Sequence, residues 1–175
     1  MRAVAINEAE AIIEPFWTGD KNADDSVYDV FEGYRIAADP EARASHSPTA
    51  WFTIEKAVPG RPAMTLEKSG CDVDVRDYDA SRLFACIPRH YAIRLHAGFD
   101  GGAPRPVLEA RGTDTFSEFT GSLPGGRLTA LRIEMVPHED KPAIIELVWV
   151  GVVHRERERR MEARPSPYTP DWPGR

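Results

Sequence analysis

Residues 90–102 read HYAIRLHAGFDGG and carry the clearest structural signal of the sequence. Apolar side chains occupy every second position, at Tyr91, Ile93, Leu95, Ala97 and Phe99. This period of two predicts a strand with one buried face. The Asp-Gly-Gly triplet at positions 100–102 is typical of a hairpin turn, because such turns need residues that tolerate positive φ. We therefore expect a strand, a tight turn and a short return strand over residues 107–110.

Comparable signals recur over residues 50–153. Residues 71–77 and 128–136 alternate in the same way, and residues 50–56 are rich in aromatic and β-branched side chains. Residues 83–87 form a continuous apolar run, and so do residues 143–153, which are apolar on both faces apart from Glu146. The longer run predicts a central strand that is covered on both sides. Seven or eight short strands without a helical period predict an all-β fold, a two-sheet antiparallel β-sandwich.

The two ends of the chain differ from this β zone. Residues 1–49 hold four basic and ten acidic side chains and are expected to form an acidic N-terminal arm, partly helical over residues 7–13 and 27–38. Residues 154–163 pair arginine with glutamate at helical spacing, which predicts a solvated helix. Four prolines between positions 165 and 173 then predict an extended Pro-rich C-terminal tail. The expected organisation is thus residues 1–49, 50–153 and 154–175.

Composition excludes several classes of function. The 175 residues carry a formal charge of −6, so we expect no nucleic-acid partner, which would require a basic surface. No apolar run reaches the roughly 20 residues of a membrane-spanning helix, and no membrane association is expected. The first residues do not resemble a signal peptide. A cytoplasmic location is the default expectation, and export together with a larger partner is left open.

Cysteine content and motifs narrow the chemistry further. Cys71 and Cys86 are too few for a disulfide framework or a four-cysteine zinc site. Both lie in apolar stretches, where a buried thiol is the ordinary occupant, although a single bridge is left open. The sequence contains no glycine-rich phosphate loop, no Gly-x-Ser-x-Gly and no His-Glu-x-x-His motif. A catalytic role through carboxylates would leave no such local signature.

The first candidate site is the polar face of the strand at residues 90–99. His90, Arg94 and His96 share this face and would adjoin Asp72 and Asp74 if the two strands were neighbours. Such a surface could bind an anionic or hydroxylated ligand, or a metal. The alternative is that this is an ordinary solvent-exposed face of a half-buried sheet, where the alternation places polar residues without any binding role.

The second candidate site is the loop at residues 111–119. It combines hydroxyl and carboxylate groups with two aromatic rings, as binding loops of β-sandwiches do. Arg111, Asp114, Glu118 and Phe119 are its candidate ligand-binding residues, and oxygen atoms of Asp114 and Glu118 could coordinate calcium. The alternative is an ordinary connection whose phenylalanines anchor it in the core.

The four tryptophans form a third group. Trp51 and Trp149 lie in strongly apolar strands and are predicted to be core residues. Trp17 and Trp172 lie outside the β zone and are the better surface candidates. Either Trp17 or Phe119 is expected to stack on a sugar ring. Trp172, which is flanked by prolines, is expected to anchor the chain to a neighbouring domain.

Several stretches together resemble a known kind of module. They are WFTIE at 51–55, DYD at 77–79, LFACIP at 83–88, GTDT at 112–115, LTALRIE at 128–134 and LVWVG at 147–151. Residues 50–174 are in this respect similar to the galactose-binding-like jelly-roll modules beside catalytic domains of bacterial polysaccharide lyases and glycoside hydrolases. In particular, they are similar to the N-terminal β-sandwiches that precede the catalytic toroid domains of heparinase II/III-like enzymes. The 175 residues include no catalytic toroid, and the usual exposed aromatic platform is not evident.

The resemblance implies a noncatalytic carbohydrate-associated β-sandwich, a sugar-binding or structural part of a polysaccharide-degrading enzyme. Its partners would be an oligosaccharide or polysaccharide and a catalytic domain or subunit, contacted through Trp172 and the N-terminal arm. An acidic sugar would call on Arg94 and Arg111 for bidentate contacts. Two alternatives stay open, a small lyase or glycoside hydrolase with acid–base residues on the sheet face, and a purely structural docking subunit.

Overall fold

A computed structural model describes residues 3–16, 31–47 and 50–163, and the fold within these ranges is a two-sheet antiparallel β-sandwich, as predicted. Its strands are β1 (Val4–Ala5), β2 (Glu10–Pro15), β3 (Arg35–Ala38), β4 (Arg43–His46), β5 (Trp51–Lys56), β6 (Met64–Asp74), β7 (Ala80–Cys86), β8 (Tyr91–Phe99), β9 (Arg105–Arg111), β10 (Phe116–Ser122), β11 (Arg127–Pro137) and β12 (Ala143–Val153). One helix, α1 (Arg155–Glu162), follows the last strand.

The first sheet, sheet A, is built around β12. The first half of β12 pairs with β5 and its second half with β2, while β7 runs along its other edge. Strands β4, β1 and β10 extend the sheet beyond β5, β2 and β7. The central position predicted for residues 143–153 is therefore confirmed. Their outer face is not fully covered, however, because Ile144 is 55% exposed.

The second sheet, sheet B, has the strand order β3-β6-β11-β8-β9, with all pairs antiparallel. The alternating residues of β8 face inward as predicted, since Tyr91, Ile93 and Leu95 are almost fully buried. They pack against inward residues of sheet A such as Phe52 and Leu83 in a single hydrophobic core. The hairpin after β8 is also confirmed, with φ of 52° at Asp100 and 80° at Gly101.

The helices expected near the N-terminus are wrong where the structure describes them. Residues 10–15 form β2, which hydrogen-bonds to the second half of β12, and Arg35–Ala38 form β3 at the edge of sheet B. Backbone pairing with a long strand gives these segments their hydrogen bonds and their buried faces, which outweighs a weak helical propensity. Residues 27–30 of the second expected helix lie outside the described residues.

Two further local expectations can be compared with the structure. The Ser69-Gly70 pair predicts a turn after a short strand at residues 64–68, and this prediction is wrong, because β6 continues from Met64 to Asp74. Gly70 instead adopts a φ of 71° beside a register shift against β11, the mark of a β-bulge. The solvated helix is confirmed as α1, which has no buried residue. Within the described residues, no helix is long and apolar enough to cross a membrane.

Candidate functional site

The outer face of sheet A carries large aromatic side chains. Trp51 on β5, Glu146 on β12, Cys86 on β7 and Phe116 on β10 are successive cross-strand partners, so the four side chains form one row across the sheet. Partners in an antiparallel sheet project from the same face. Trp51 is 48% and Phe116 is 51% exposed, although both are large apolar residues. The row thus has an exposed ring at each end and a carboxylate between them.

A second group of rings connects to this row. Trp149 and Phe84 are cross-strand partners whose ring centroids lie 5.8 Å apart, and Phe84 lies 5.9 Å from Phe116. Ile144 adds an exposed apolar side chain on the same face. We call this surface, made of Trp51, Phe84, Phe116, Ile144 and Trp149, the aromatic face. Contiguous exposed apolar surface on a soluble domain is typical of a binding site.

The prediction that Trp51 and Trp149 are core residues is wrong. Trp51 alternates with the buried Phe52 and Ile54 and therefore points away from the core. Trp149 would point inward if the alternation of Ile145 and Leu147 continued along β12. A register shift between residues 147 and 149 turns it to the outer face instead. Both tryptophans therefore belong to the aromatic face.

A shallow depression adjoins Trp51 at one end of the aromatic face. Its volume is about 380 Å³, and its lining consists of Ser45, His46, Ser47, Trp51 and Thr53. The hydroxyl of Ser47 accepts a hydrogen bond from the Trp51 backbone N–H at 3.2 Å, which ties the strand start to the preceding loop. Hydroxyl groups thus surround an exposed indole, a combination suited to a ligand that has both apolar faces and hydroxyl groups.

The charges on the aromatic face are negative. Glu146 is half-buried, and its carboxylate makes no hydrogen bond or ion pair with another described residue. Glu118, the cross-strand partner of Phe84, lies 3.7 Å from the guanidinium of Arg82. Burial first, and then the charges of Glu146 and Asp114, raise the pKa of the Cys86 thiol. Glu146 therefore places a negative charge beside Cys86 at the centre of the row.

These surroundings predict slow chemistry at Cys86. We expect iodoacetamide to label Cys86 more slowly at neutral pH than it labels a free cysteine peptide, because only the thiolate reacts and its pKa lies above the ordinary 9.0. Glu146→Gln removes one neighbouring charge and should increase the labelling rate. Peptide-level mass spectrometry separates this site from the buried Cys71. A rate equal to that of the free peptide in both proteins would contradict the expectation.

Helix α1 bounds the opposite end of this face. Arg82 is 8% exposed and is held by Glu158 of α1, at 2.6 and 3.1 Å, and by Glu10 of β2 at 3.3 Å. The backbone of α1 is fixed as well, because the Arg155 N–H donates to Asp79 at 2.9 Å. Arg82 therefore joins β7, β2 and the helix, and its own charge is matched locally.

The first predicted site lies on the opposite side of the molecule. Arg94 and His96 belong to β8 in sheet B, and His90 lies in the turn directly before this strand. Strand β11 separates β8 from β6, which carries Asp72. His96 contacts Glu134 at 3.2 Å, and Arg94 contacts Glu109 at 3.4 Å.

The structure does not bring the two aspartates to these residues. Asp72 is bound by Arg127 and Asp74 by Arg76, and these hydrogen bonds hold the pKa of each carboxyl below its ordinary value. His90 instead contacts the Pro142 carbonyl at 3.0 Å. The outer face of sheet B is thus largely covered with internally paired charges.

The second predicted site is dispersed along β9, β10 and the turn between them. Asp114, at a φ of 65°, accepts the backbone N–H of Arg89 at 2.8 Å and pairs with its side chain. Phe119 is half-buried and packs on the core, while Phe116 of the same segment is the exposed ring. Arg111 lies 3.7 Å from Glu109.

The calcium ligands predicted in this loop are not assembled into a larger donor set. Asp114 is engaged by Arg89, and Glu118 faces Arg82. Among the described residues, no group of three or more histidine, cysteine, aspartate or glutamate side chains is arranged to hold a metal ion. Cys71 and Cys86 are free thiols on different sheets. Trp17 and Trp172, predicted for stacking and docking, lie outside the described residues.

Comparison with known proteins finds similarity to solved structures but to no protein family or curated protein. No protein-family model matches the chain, and no curated protein matches it significantly. Its structural neighbours are carbohydrate-binding modules. One is a family 6 module from Clostridium stercorarium in complex with cellobiose, with a TM-score of 0.43, 10% identity, and coverage of 70% of this chain and 89% of that one.

Two others belong to family 29 of carbohydrate-binding modules. A variant complexed with mannohexaose has a TM-score of 0.46 at 10% identity and covers 87% of this chain and 92% of its own. A module from Piromyces equi has a TM-score of 0.40 at 12% identity, with coverage of 69% and 79%.

Proposed function

We propose that this chain is a noncatalytic carbohydrate-binding β-sandwich and that the aromatic face is its binding surface. The observation that carries the proposal is the row in which exposed Trp51 and Phe116 flank the half-buried Glu146. A pyranose ring has apolar faces formed by C–H groups and a rim of hydroxyl groups. Aromatic rings pack on the faces, and a carboxylate accepts hydrogen bonds from the hydroxyl groups.

The open shape of the aromatic face favours binding over catalysis. Acid–base catalysis requires titratable groups in a water-excluding pocket. The carboxyls whose pKa is raised by burial, Glu10 and Glu14, lie elsewhere and are ion-paired with Arg82 and Lys68. Neither is positioned beside Trp51 or Phe116 in the row. A sugar-binding role uses what this face provides, which is rings, hydroxyl groups and the carboxylates of Glu146 and Glu118.

We propose that this chain is the binding or structural part of a polysaccharide-degrading enzyme. The resemblance of residues 50–174 to the modules beside catalytic domains of polysaccharide lyases and glycoside hydrolases supports this role. Docking would involve the N-terminal segment and Trp172. Binding of an acidic sugar by Arg94 and Arg111 has less support, since both guanidinium groups face Glu109 on sheet B.

Binding to polysaccharides tests the proposal. Calorimetry and affinity electrophoresis against neutral, amino-substituted and uronate polymers should show saturable binding to at least one of them, without new reducing or unsaturated ends. Trp51→Ala and Phe116→Ala should each weaken binding at least about tenfold, because aromatic side chains that the bound ligand covers dominate such interfaces.

A matched control is Arg94→Ala, which changes the outer face of sheet B and should leave affinity unchanged. Product formation would favour the enzyme alternative. Absence of binding to every polymer would contradict the proposal and favour a docking subunit. Loss of affinity in Arg94→Ala but not in Trp51→Ala would move the site to sheet B.

A further inference from the structure

The charged side chains on the aromatic face indicate the charge of its ligand. Its charged side chains among the described residues are Glu146 and Glu118. The guanidinium that faces Glu118, that of Arg82, is shared among Glu158, Glu10 and Glu118. Two other carboxylates near this region are already neutralised. Glu55 pairs with Arg43 at 3.2 Å, and Asp114 pairs with Arg89 at 2.8 Å. Glu146 is therefore the carboxylate whose charge is not matched by a described residue.

The position of Glu146 makes this charge relevant to a ligand. Its cross-strand neighbours are Trp51 on one side and Cys86 on the other, with Phe116 one strand further. An ionised carboxylate only accepts hydrogen bonds, so its best partner is a charged donor. Aromatic rings attract cations through their negative faces. A carboxylate beside such rings suits an ammonium group better than it suits a hydroxyl group.

We propose that the aromatic face prefers an oligosaccharide of amino sugars with free, protonated amino groups, and that Glu146 accepts the ammonium group. This inference rests on the proposed function and specifies its ligand class. An uronate chain would bring its negative charge against Glu146 and Glu118, and like charges in a partly desolvated site repel. A neutral chain would keep the stacking on Trp51 and Phe116 and lack the ion pair.

The spacing of the row indicates the length of the ligand. Trp51 and Phe116 are three strand positions apart, which corresponds to about 14 Å at the roughly 4.8 Å spacing of neighbouring strands. A single sugar ring cannot reach both aromatic side chains across that span. The ligand is therefore a chain of several sugars that crosses the strands, with Glu146 beneath its inner residues.

The test compares three oligosaccharides of equal length at mildly acidic pH, where the amino groups are protonated. They are a β-linked glucosamine oligomer, its fully N-acetylated counterpart and an oligouronate. We expect the glucosamine oligomer to bind at least tenfold more tightly than the acetylated one, with an affinity that falls as salt is added. The oligouronate should bind most weakly.

Variants separate this inference from the general proposal. Glu146→Gln should reduce the tenfold preference to about onefold while leaving the affinity for the acetylated oligomer in place. Glu109→Gln, a carboxylate on sheet B, is the matched control and should preserve the preference. Trp51→Ala should weaken the binding of both oligomers.

Each alternative outcome has a distinct meaning. Equal affinities for the amino and acetylated oligomers would overturn the inference and leave the proposed function intact. A preference that persists in Glu146→Gln, or that is lost equally in Glu109→Gln, would assign it to the overall charge of −6 and would also overturn the role of Glu146. If none of the three oligomers binds, the inference is overturned, and the proposed function fails with it only if no other polysaccharide binds.

Discussion

Replacing Arg82 with methionine is expected to lower the free energy of unfolding by about 3–5 kcal/mol, because it leaves the partly buried carboxylates of Glu10 and Glu158 without their cation. Arg82 is 8% exposed and binds Glu158 of α1, Glu10 of β2 and the Thr120 hydroxyl of β10. Burial already raises the pKa of Glu10 although Arg82 counteracts it. Without the guanidinium, that pKa rises further, and α1 loses its main attachment to the sheet.

Urea unfolding at neutral and at acidic pH measures this effect. A carboxyl whose pKa is raised in the folded state costs stability above that pKa, and the cost disappears below the unfolded value. The deficit of Arg82→Met should therefore shrink as the pH falls. Arg111→Met, an exposed arginine near one carboxylate, is the matched control and should change stability by less than about 0.5 kcal/mol. Equal deficits in the two variants would contradict the account of Arg82.

Lys68→Met is expected to produce a loss of similar size, about 3–5 kcal/mol, at the interface between the sheets. Glu14 on β2 of sheet A pairs with Lys68 on β6 of sheet B at 3.1 Å, and the two side chains are 9% and 19% exposed. The Lys68 ammonium also lies 5.0 Å from the centroid of the Tyr34 ring. Removal of the lysine leaves a carboxylate between the sheets whose pKa is already raised by burial.

A double-mutant cycle identifies the cause of this loss. Adding Glu14→Gln to Lys68→Met removes the unpaired charge and should restore at least half of the lost stability. The deficit of Lys68→Met alone should be largest at neutral pH and should decrease towards the ordinary carboxyl pKa of 4.5, because protonation of Glu14 removes the buried charge. Lys56→Met, an exposed lysine on β5, is the control. A deficit that neither pH nor the second substitution changes would show that packing rather than charge is responsible.

The sequence predicted the sandwich well where one strand face is buried. The alternation of Tyr91, Ile93 and Leu95 is dictated by the core, so the period of two appears directly in the sequence. The N-terminal strands could not be found in this way. β2 and β3 are short, and their stability comes from partners more than 100 and about 30 positions away along the chain, which local periodicity does not record.

The candidate site was harder to predict because it depends on which side of a strand faces the solvent. Trp149 lies in a run that is apolar on both faces, and the register shift that turns it outward has no sequence signature. The sequence predicts a loop at residues 111–119, although β10 pairs with β7 and presents Phe116 beside Cys86. Trp51 carried a usable signal, since its alternation with Phe52 and Ile54 already places it opposite the core.

The pairing partners of the charged residues also could not be predicted from local sequence. The polar face of β8 was correctly predicted, but the identity of its neighbours was not, because strand order decides which charges meet. With β11 between β8 and β6, Arg94 meets Glu109 and His96 meets Glu134, while Asp72 meets Arg127. Side chains that are paired in this way are not available to bind a charged ligand. The strand order of sheet B decides which of them pair, and local sequence does not contain that order.

The most direct test of the central claim is to map bound oligosaccharide by nuclear magnetic resonance on the labelled full chain. Titration should shift the Trp51 indole N–H and the backbone amides of β5, β7, β10 and β12 that surround the aromatic face. The amides around His90, Arg94 and His96 in sheet B should stay in place. Shifts confined to β8 and β11, with the Trp51 signal unchanged, would contradict the assignment of sugar binding to the outer face of sheet A.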